Sequence, residues 1–236
     1  MTLRTTASSA RRRRVFRSWL VLVLVAGIAG AAPAPAATAK TKAPPKAAPQ
    51  EGDAAVLGVL RKDLPPAPAG FDWQLFKNAL FVKPKGWHEQ RVNVTGASTP
   101  TFVYAASGEA FSAAKQFETG LTINIFEGGQ RIRGIPASKL VALYLAPFIE
   151  AHQQSDVQLF EQKQQGDFLQ VTFRYRDAPP GQKPAIVHKS ILANDKADSL
   201  HVFTFESPED TFAANWEKFG TPILSKVKVL PNLPIQ

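Results

Sequence analysis

Between residues 156 and 207 the chain repeats one arrangement: a run rich in β-branched and aromatic residues, a tight polar turn, and another such run. "DVQLFEQK" (156–163), "GDFLQVTFRYRD" (166–177), "PAIVHKSILA" (184–193) and "SLHVFTFES" (199–207) read as strands. Several alternate apolar and polar residues, the period of a strand with one covered face. Gln164-Gln165-Gly166 and "NDKADS" (194–199) have the composition of hairpin turns. Consecutive hairpins can build only an antiparallel sheet. "NALFVKP" (78–84), "TFVYAAS" (101–107) and "GLTINIFEG" (120–128) are further strand candidates, and "KVKVL" (226–230) is a short closing one.

Two segments have helical spacing. "PASKLVALYLAPFIEAHQQ" (136–154) places Leu140, Leu143, Leu145, Phe148 and Ile149 on one broad stripe, with Pro147 expected to kink or break it. In "SPEDTFAANWEKFG", Ser207 is the expected N-cap and Pro208 the first helical residue, with Glu209 and Asp210 at the positive end. Phe212, Trp216, Phe219 and Ile223 would pack on the sheet, and Gly220 with Pro222 would stop or bend the helix. The expected class is α+β, an antiparallel sheet packed between helices.

The N-terminal third has a different character. "RRRRVFRSWLVLVLVAGIAGAAPAPAA" combines a basic segment, an apolar stretch from Trp19 to Ala32 and small residues around Ala34-Pro35-Ala36, the three parts of a secretory signal. The apolar run is shorter than the roughly 20 residues that span a bilayer, so cleavage is expected rather than a retained anchor. Arg13-Arg14-Val15-Phe16 also resembles the core of a twin-arginine export signal, although Arg17 and Ser18 depart from its continuation. Residues 38–69 are dominated by Ala, Pro and Lys and read as a disordered or semi-extended spacer, with a short helical turn possible within 54–64. The expected organisation is a signal peptide (1–37), a spacer (38–69) and one folded domain (70–236), in a bacterial protein that is periplasmic or secreted.

The net charge of +9 suggests a nucleic-acid or membrane partner until it is divided by region. Residues 1–37 hold six Arg and no acid, and residues 38–69 hold five basic and three acidic residues. Subtracting these from the chain totals of 28 and 19 leaves 17 basic and 16 acidic residues for 70–236. A nearly neutral domain removes the electrostatic case for nucleic acid. The absence of cysteine excludes disulfides, thiolate metal sites and a cysteine nucleophile.

"ALFVKPKGW" (79–87) resembles the strand ending in Pro-x-Gly-Trp of the PsbP-like family, relatives of the extrinsic photosystem II protein. "GLTINIFEG", the helix from about Ala137, and "SILANDKADSLHVFTFESPEDTFAANWEKFGTPILSKVKV" follow in the family's order, so the resemblance spans about residues 71–230. It implies an α/β/α sandwich and a binding, assembly or accessory role without a common catalytic set. The wider superfamily includes a Ran-GTPase-binding import factor and bacterial cell-envelope proteins. The leader lacks the bipartite, Ser-rich form of a chloroplast protein, so the photosystem role is not carried over.

Candidate chemistry is sparse. Paired across the 194–199 turn, Leu192 would face His201, with His188 on the same side. His188 and His201 would then lie about two side-chain steps apart, too far to share a metal unaided. Arg131 and Arg133 lie in "EGGQRIRG" (127–134), a glycine-rich crossover whose backbone N–H groups could receive an anion. His88 reads as a solvated turn residue and His152 as a helix-end residue. Glu206, Glu209 and Asp210 fit helix capping, and Asp195 and Asp198 fit a turn. No G-x-G-x-x-G, Walker-type loop or G-x-S-x-G elbow occurs. No cofactor is called for. The expectation is a non-enzymatic binding or assembly-accessory protein whose partner is another envelope or periplasmic protein. The alternatives are a small-ligand or metal-binding accessory protein and a hydrolase with a site built from distant residues. Trp87 is expected to anchor the core.

Overall fold

The computed structural model describes residues 51–94, 97–111, 117–151, 156–178 and 182–233. The expected leader, the first part of the spacer and His152 lie outside these residues. Strands β3 (His88–Val94), β4 (Thr101–Ser107), β5 (Gly120–Glu127), β6 (Val157–Gln165), β7 (Phe168–Asp177), β8 (Ala185–Asn194) and β9 (Ser199–Pro208) form a seven-stranded antiparallel sheet. Its order is β3-β4-β5-β9-β8-β7-β6. β1 (Phe71–Phe76), β2 (Ala79–Pro84) and β10 (Lys228–Val229) form a second, three-stranded sheet. The helices are α1 (Glu51–Leu60), α2 (Gly129–Arg133), α3 (Ala137–Ala151), α4 (Phe212–Asn215) and α5 (Thr221–Leu224), with a π turn at Trp216–Gly220 joining the last two.

Two hydrophobic cores sit on opposite faces of the large sheet. One joins Leu121, Ile123, Ile125, Phe203 and Phe205 to the small sheet through Trp73, Leu75, Leu80 and Phe81, to α1 through Leu57, and to the C-terminal helical segment through Phe212 and Ile223. The other packs Ala137, Val141 and Leu145 of α3 on Val171, Phe173, Val187, Ile191 and Val202. The antiparallel sheet thus lies between helical layers, as expected, with a second small sheet sharing one layer.

Several local readings change. Residues 51–69 belong to the domain and not to a spacer. Leu57 is buried, Val56, Leu60, Leu64 and Ala67 pack on the first core, and the Trp73 indole donates to the Pro65 carbonyl at 2.8 Å. α3 runs unbroken through Pro147. Its buried stripe is Ala137, Val141 and Leu145, supported by Leu140, Tyr144 and Phe148, while Leu143 and Ile149 are exposed. The C-terminal helical segment begins at Phe212, because Ser207 and Pro208 still belong to β9. Ser207 is no N-cap: its hydroxyl is buried and accepts from Asn215 Nδ2 at 2.8 Å. Gly220 does not stop the helix either. A Cβ there would lie 2.4 Å from the Trp216 ring, so glycine lets the tryptophan close over the backbone.

The Pro84-Lys85-Gly86 turn takes its bend at Gly86, with φ of 80°, a left-handed value that glycine adopts at little cost. The turn delivers Trp87 to the core, where its ring meets Phe219 at 5.1 Å and crowds Gly108. Trp87→Ala should cost about 3–5 kcal/mol, the price of removing a buried tryptophan. Denaturant unfolding measures this, and an unchanged midpoint would remove Trp87 from the core.

Candidate binding cleft beneath α1

A group of half-buried, paired charges lines a solvent-reaching cleft under α1. β1 and β2 turn sharply at Lys77, whose φ of 56° is left-handed and whose side chain is buried over the Phe102 ring at 4.5 Å. The turn and β3 both meet Asp53 of α1. Arg91 Nη1 donates to Asp53 Oδ2 at 2.9 Å, and the Lys77 amide approaches the same oxygen at 3.4 Å. The Arg91 guanidinium lies 5.5 Å from the Tyr104 ring centre and 5.8 Å from that of Phe76. Two residues before Arg91 on β3, Glu89 Oε2 accepts from Lys83 Nζ at 2.7 Å and from the Tyr104 hydroxyl at 3.1 Å.

The electrostatics follow from this packing. Burial pushes the Glu89 carboxyl up, but the Lys83 hydrogen bond and charge, Arg91 and the Tyr104 hydroxyl outweigh it and hold it below its ordinary value. Burial, with the nearby Glu89 charge, raises Tyr104 well above the usual phenol range. Burial lowers the Lys77 ammonium, partly offset by Asp53 and Glu127. Between α1 and these strands lies a cleft of about 260 Å³. Leu57, Leu75, Ala54 and Gly58 form its apolar part, and Asp53, Arg61, Gln74, Glu89 and Arg91 its polar part. Sequence reading missed this site. Asp53 stood in a presumed spacer, and "FDWQLF" and "HEQRVNV" were not read as strands. The alternation of Phe71, Trp73 and Leu75 was the available signal.

The residues singled out from sequence are placed elsewhere. His201 faces Leu192, and His188 stands opposite Phe205, the register expected from the turn. The two rings do not share a partner. His201 Nε2 donates to Asn78 Oδ1 at 2.7 Å in full burial. His188 packs on Trp216 at 4.4 Å and accepts from Arg174 Nε at 3.4 Å. Arg174 itself lies over the Trp216 ring at 4.3 Å. Among the described residues, no group of three His, Asp or Glu side chains could hold a metal ion.

The basic crossover folds as α2 between the left-handed residues Gly128 and Gly134. Its amides do receive an anion, one from the same chain: Gln130 N and Arg131 N donate to the Asp198 carboxylate at 2.8 and 3.0 Å. Arg131 and Arg133 point outward, and Arg133 Nη1 donates to Ser98 Oγ at 3.0 Å. Asp195 likewise accepts from the Ser138 amide and hydroxyl, both at 2.7 Å, at the start of α3. Glu209 pairs with Arg176 at 2.9 Å and does not cap the helix. His88 is exposed but opens β3 rather than lying in the turn.

No family model and no curated protein matches the chain. Among solved structures it is similar to cyanobacterial PsbP from Synechocystis, with 18% identity over 70% of this chain and 95% of that one and a TM-score of 0.42. It is also similar to the Ran-binding protein Mog1p of Saccharomyces cerevisiae, with 11% identity, 67% and 96% coverage and a TM-score of 0.36. A chain from Bacteroides thetaiotaomicron gives 10% identity, 65% and 45% coverage and a TM-score of 0.35. The first of these carries the family name that the sequence pattern suggested.

Burial holds His201 at about 3 and His188 at about 4, the latter helped by the Arg174 charge. An unfolded histidine titrates near 6.5, so the unfolded chain takes up these protons first as the pH falls. The stability tied to the two neutral rings is complete above about pH 6.5 and is lost as the pH falls toward the folded values. Around pH 5 each ring should cost about 1.4 kcal/mol per pH unit. His188→Gln should therefore show a shallower loss of melting temperature than the parent between about pH 6 and pH 4.5. Parallel slopes would contradict a neutral buried His188.

Proposed function

We propose that this chain is an exported, non-enzymatic accessory protein of the bacterial periplasm or cell envelope, and that it holds another envelope polypeptide in the cleft beneath α1. The observation that carries this reading is the state of the charges in the cleft. Asp53 is paired with Arg91 and Glu89 with Lys83. A general acid or base must be free to exchange a proton near the working pH. The Glu89 carboxyl is instead held below its ordinary value by its cationic neighbours. Fixed, paired charges beside Leu57 and Leu75 suit recognition of a segment that carries both polar and apolar side chains. The leader read in residues 1–37 supports export. No described helix is long and apolar enough to cross a membrane.

A second reading, a small polar ligand in the same cleft, is favoured by its volume, which approaches the roughly 300 Å³ of the smaller ligand pockets. The hydrolase alternative needs converging serine, histidine and acid groups. Ser207 instead shares its hydroxyl with Asn215 and Thr119.

Gly58 offers a clean test, because a Cβ there meets nothing within 4 Å. Gly58→Gln should fill the cleft, keep the melting temperature at or above that of the parent, and abolish recovery of the partner in crosslinked pull-downs from envelope extracts. Equal recovery by parent and variant would refute the cleft as the binding site. Stabilisation by a small-molecule panel, lost in the variant, would select the second reading.

A further inference from the structure

Among the described residues the large sheet ends in an open edge, and the sequence of that edge is complementary to itself. β6 is the terminal strand beyond β7, and almost all of its residues are exposed. It contains no proline, and Phe160 shows 57% of its surface. Open edges of this kind are templates for a further strand, and natural proteins blunt them with charge, proline or cover. Glu161 and Lys163 could serve as such blunting charges. They sit two residues apart, on the same side of the strand.

We infer that β6 pairs with β6 of a second copy of this chain, antiparallel, about a two-fold axis through Gln162. Three observations converge on that register. A dyad perpendicular to a continuous sheet must pass through a residue position, because a half-step would set side chains on opposite faces against each other. The β6–β7 ladder is irregular between Val157 and Leu159 and regular from Leu159 to Gln165, and the midpoint of that regular stretch is Gln162. Centred there, Glu161 stands opposite Lys163 of the partner copy twice over. Centring one residue earlier or later would oppose two glutamates or two lysines, which is destabilising. In the Gln162 register Phe160 lies opposite Gln164 of the second copy, which covers part of its ring. The interface is isologous and closes on itself, so it yields a dimer and no filament. The edge is separate from the cleft beneath α1, and the inference stands whether or not that cleft holds a partner.

Strand addition over seven residues buries less than the about 800 Å² per partner of a standard interface. A reversible dimer in the micromolar range is therefore expected. Sedimentation equilibrium of the chain as recovered after export should show a monomer–dimer equilibrium. Glu161→Lys should weaken it by about tenfold or more, Lys163→Glu likewise, and the double exchange Glu161→Lys with Lys163→Glu should restore it. Both substitutions lie on an exposed strand, so all three variants should leave the melting temperature unchanged.

The absence of native cysteine provides an independent readout. In the proposed register the two Gln162 Cα atoms lie about 4.5–5.5 Å apart, within disulfide range. Gln162→Cys should oxidise to a covalent dimer far faster than Gln164→Cys, which meets Phe160 and not its own copy. The inference is overturned by a monomer at all concentrations, by a dimer indifferent to Glu161→Lys, by a double exchange that fails to restore it, or by equal crosslinking at 162 and 164. It is also overturned if Gln162→Cys captures a different envelope polypeptide in place of its own copy.

Discussion

Every layer of this molecule is docked on β9. The strand lies fourth of seven in the large sheet, between β5 and β8, and nine of its ten residues are buried. Because side chains alternate across a strand, one set faces the small sheet and C-terminal helical segment through His201, Phe203 and Phe205. The other set faces α3 through Leu200 and Val202. A chain without disulfides depends heavily on burial of this kind. Several polar residues on β9 find partners within these layers, although Ser199 Oγ and His201 Nδ1 have none among the described residues. His201 is neutral and donates to Asn78, Thr204 accepts from Lys189 Nζ at 3.0 Å, and Ser207 is shared by Asn215 and Thr119. Buried polar groups are tolerated where they find such partners.

The turn that starts β9 extends its influence to the helical layer. Asp195 and Asp198 are the first and last residues of a four-residue reversal; Asp198 accepts from two backbone amides at the start of α2 and Asp195 from the Ser138 amide at the start of α3. Helix N-termini bind anions because their first amides lack intrahelical partners. Here those amides are satisfied from within, which turns a crossover with anion-binding composition into a structural staple. The same economy holds beneath α1, where carboxylate meets guanidinium or ammonium. Many of the charges among the described residues hold elements in place.

Much of the main sheet was legible in the sequence. The alternation of Val171, Phe173 and Tyr175, the turns at 164–166 and 194–199, and the resulting register of Leu192 against His201 follow from period and turn chemistry, which are local. Trp87, Phe212 and Ile223 were readable as core residues for the same reason. What escaped depends on distant partners. β3 reads as polar because Glu89 and Arg91 find their counter-charges on Lys83 and Asp53, far from it in sequence or on another element. α1 lies in a Pro/Ala/Lys-rich context, and its place in the domain comes from a few contacts, Leu57 above all, that no local pattern marks. The start of the C-terminal helical segment was misplaced because Ser-Pro-Glu-Asp is a strong capping sequence, yet pairing of Ser207 with Ile186 keeps the strand going past it. The cleft was invisible for these combined reasons: one wall is α1 and its floor is β3.

In the proposed complex another polypeptide lies in the cleft beneath α1. A photoreactive amino acid placed at Ala54, which lines the cleft, tests it most directly in intact cells. One discrete crosslinked adduct with an envelope protein is expected. None is expected from the same probe at Val59, which is 68% exposed on α1 but does not line the cleft. No adduct from Ala54, or the same adduct from both positions, would contradict it.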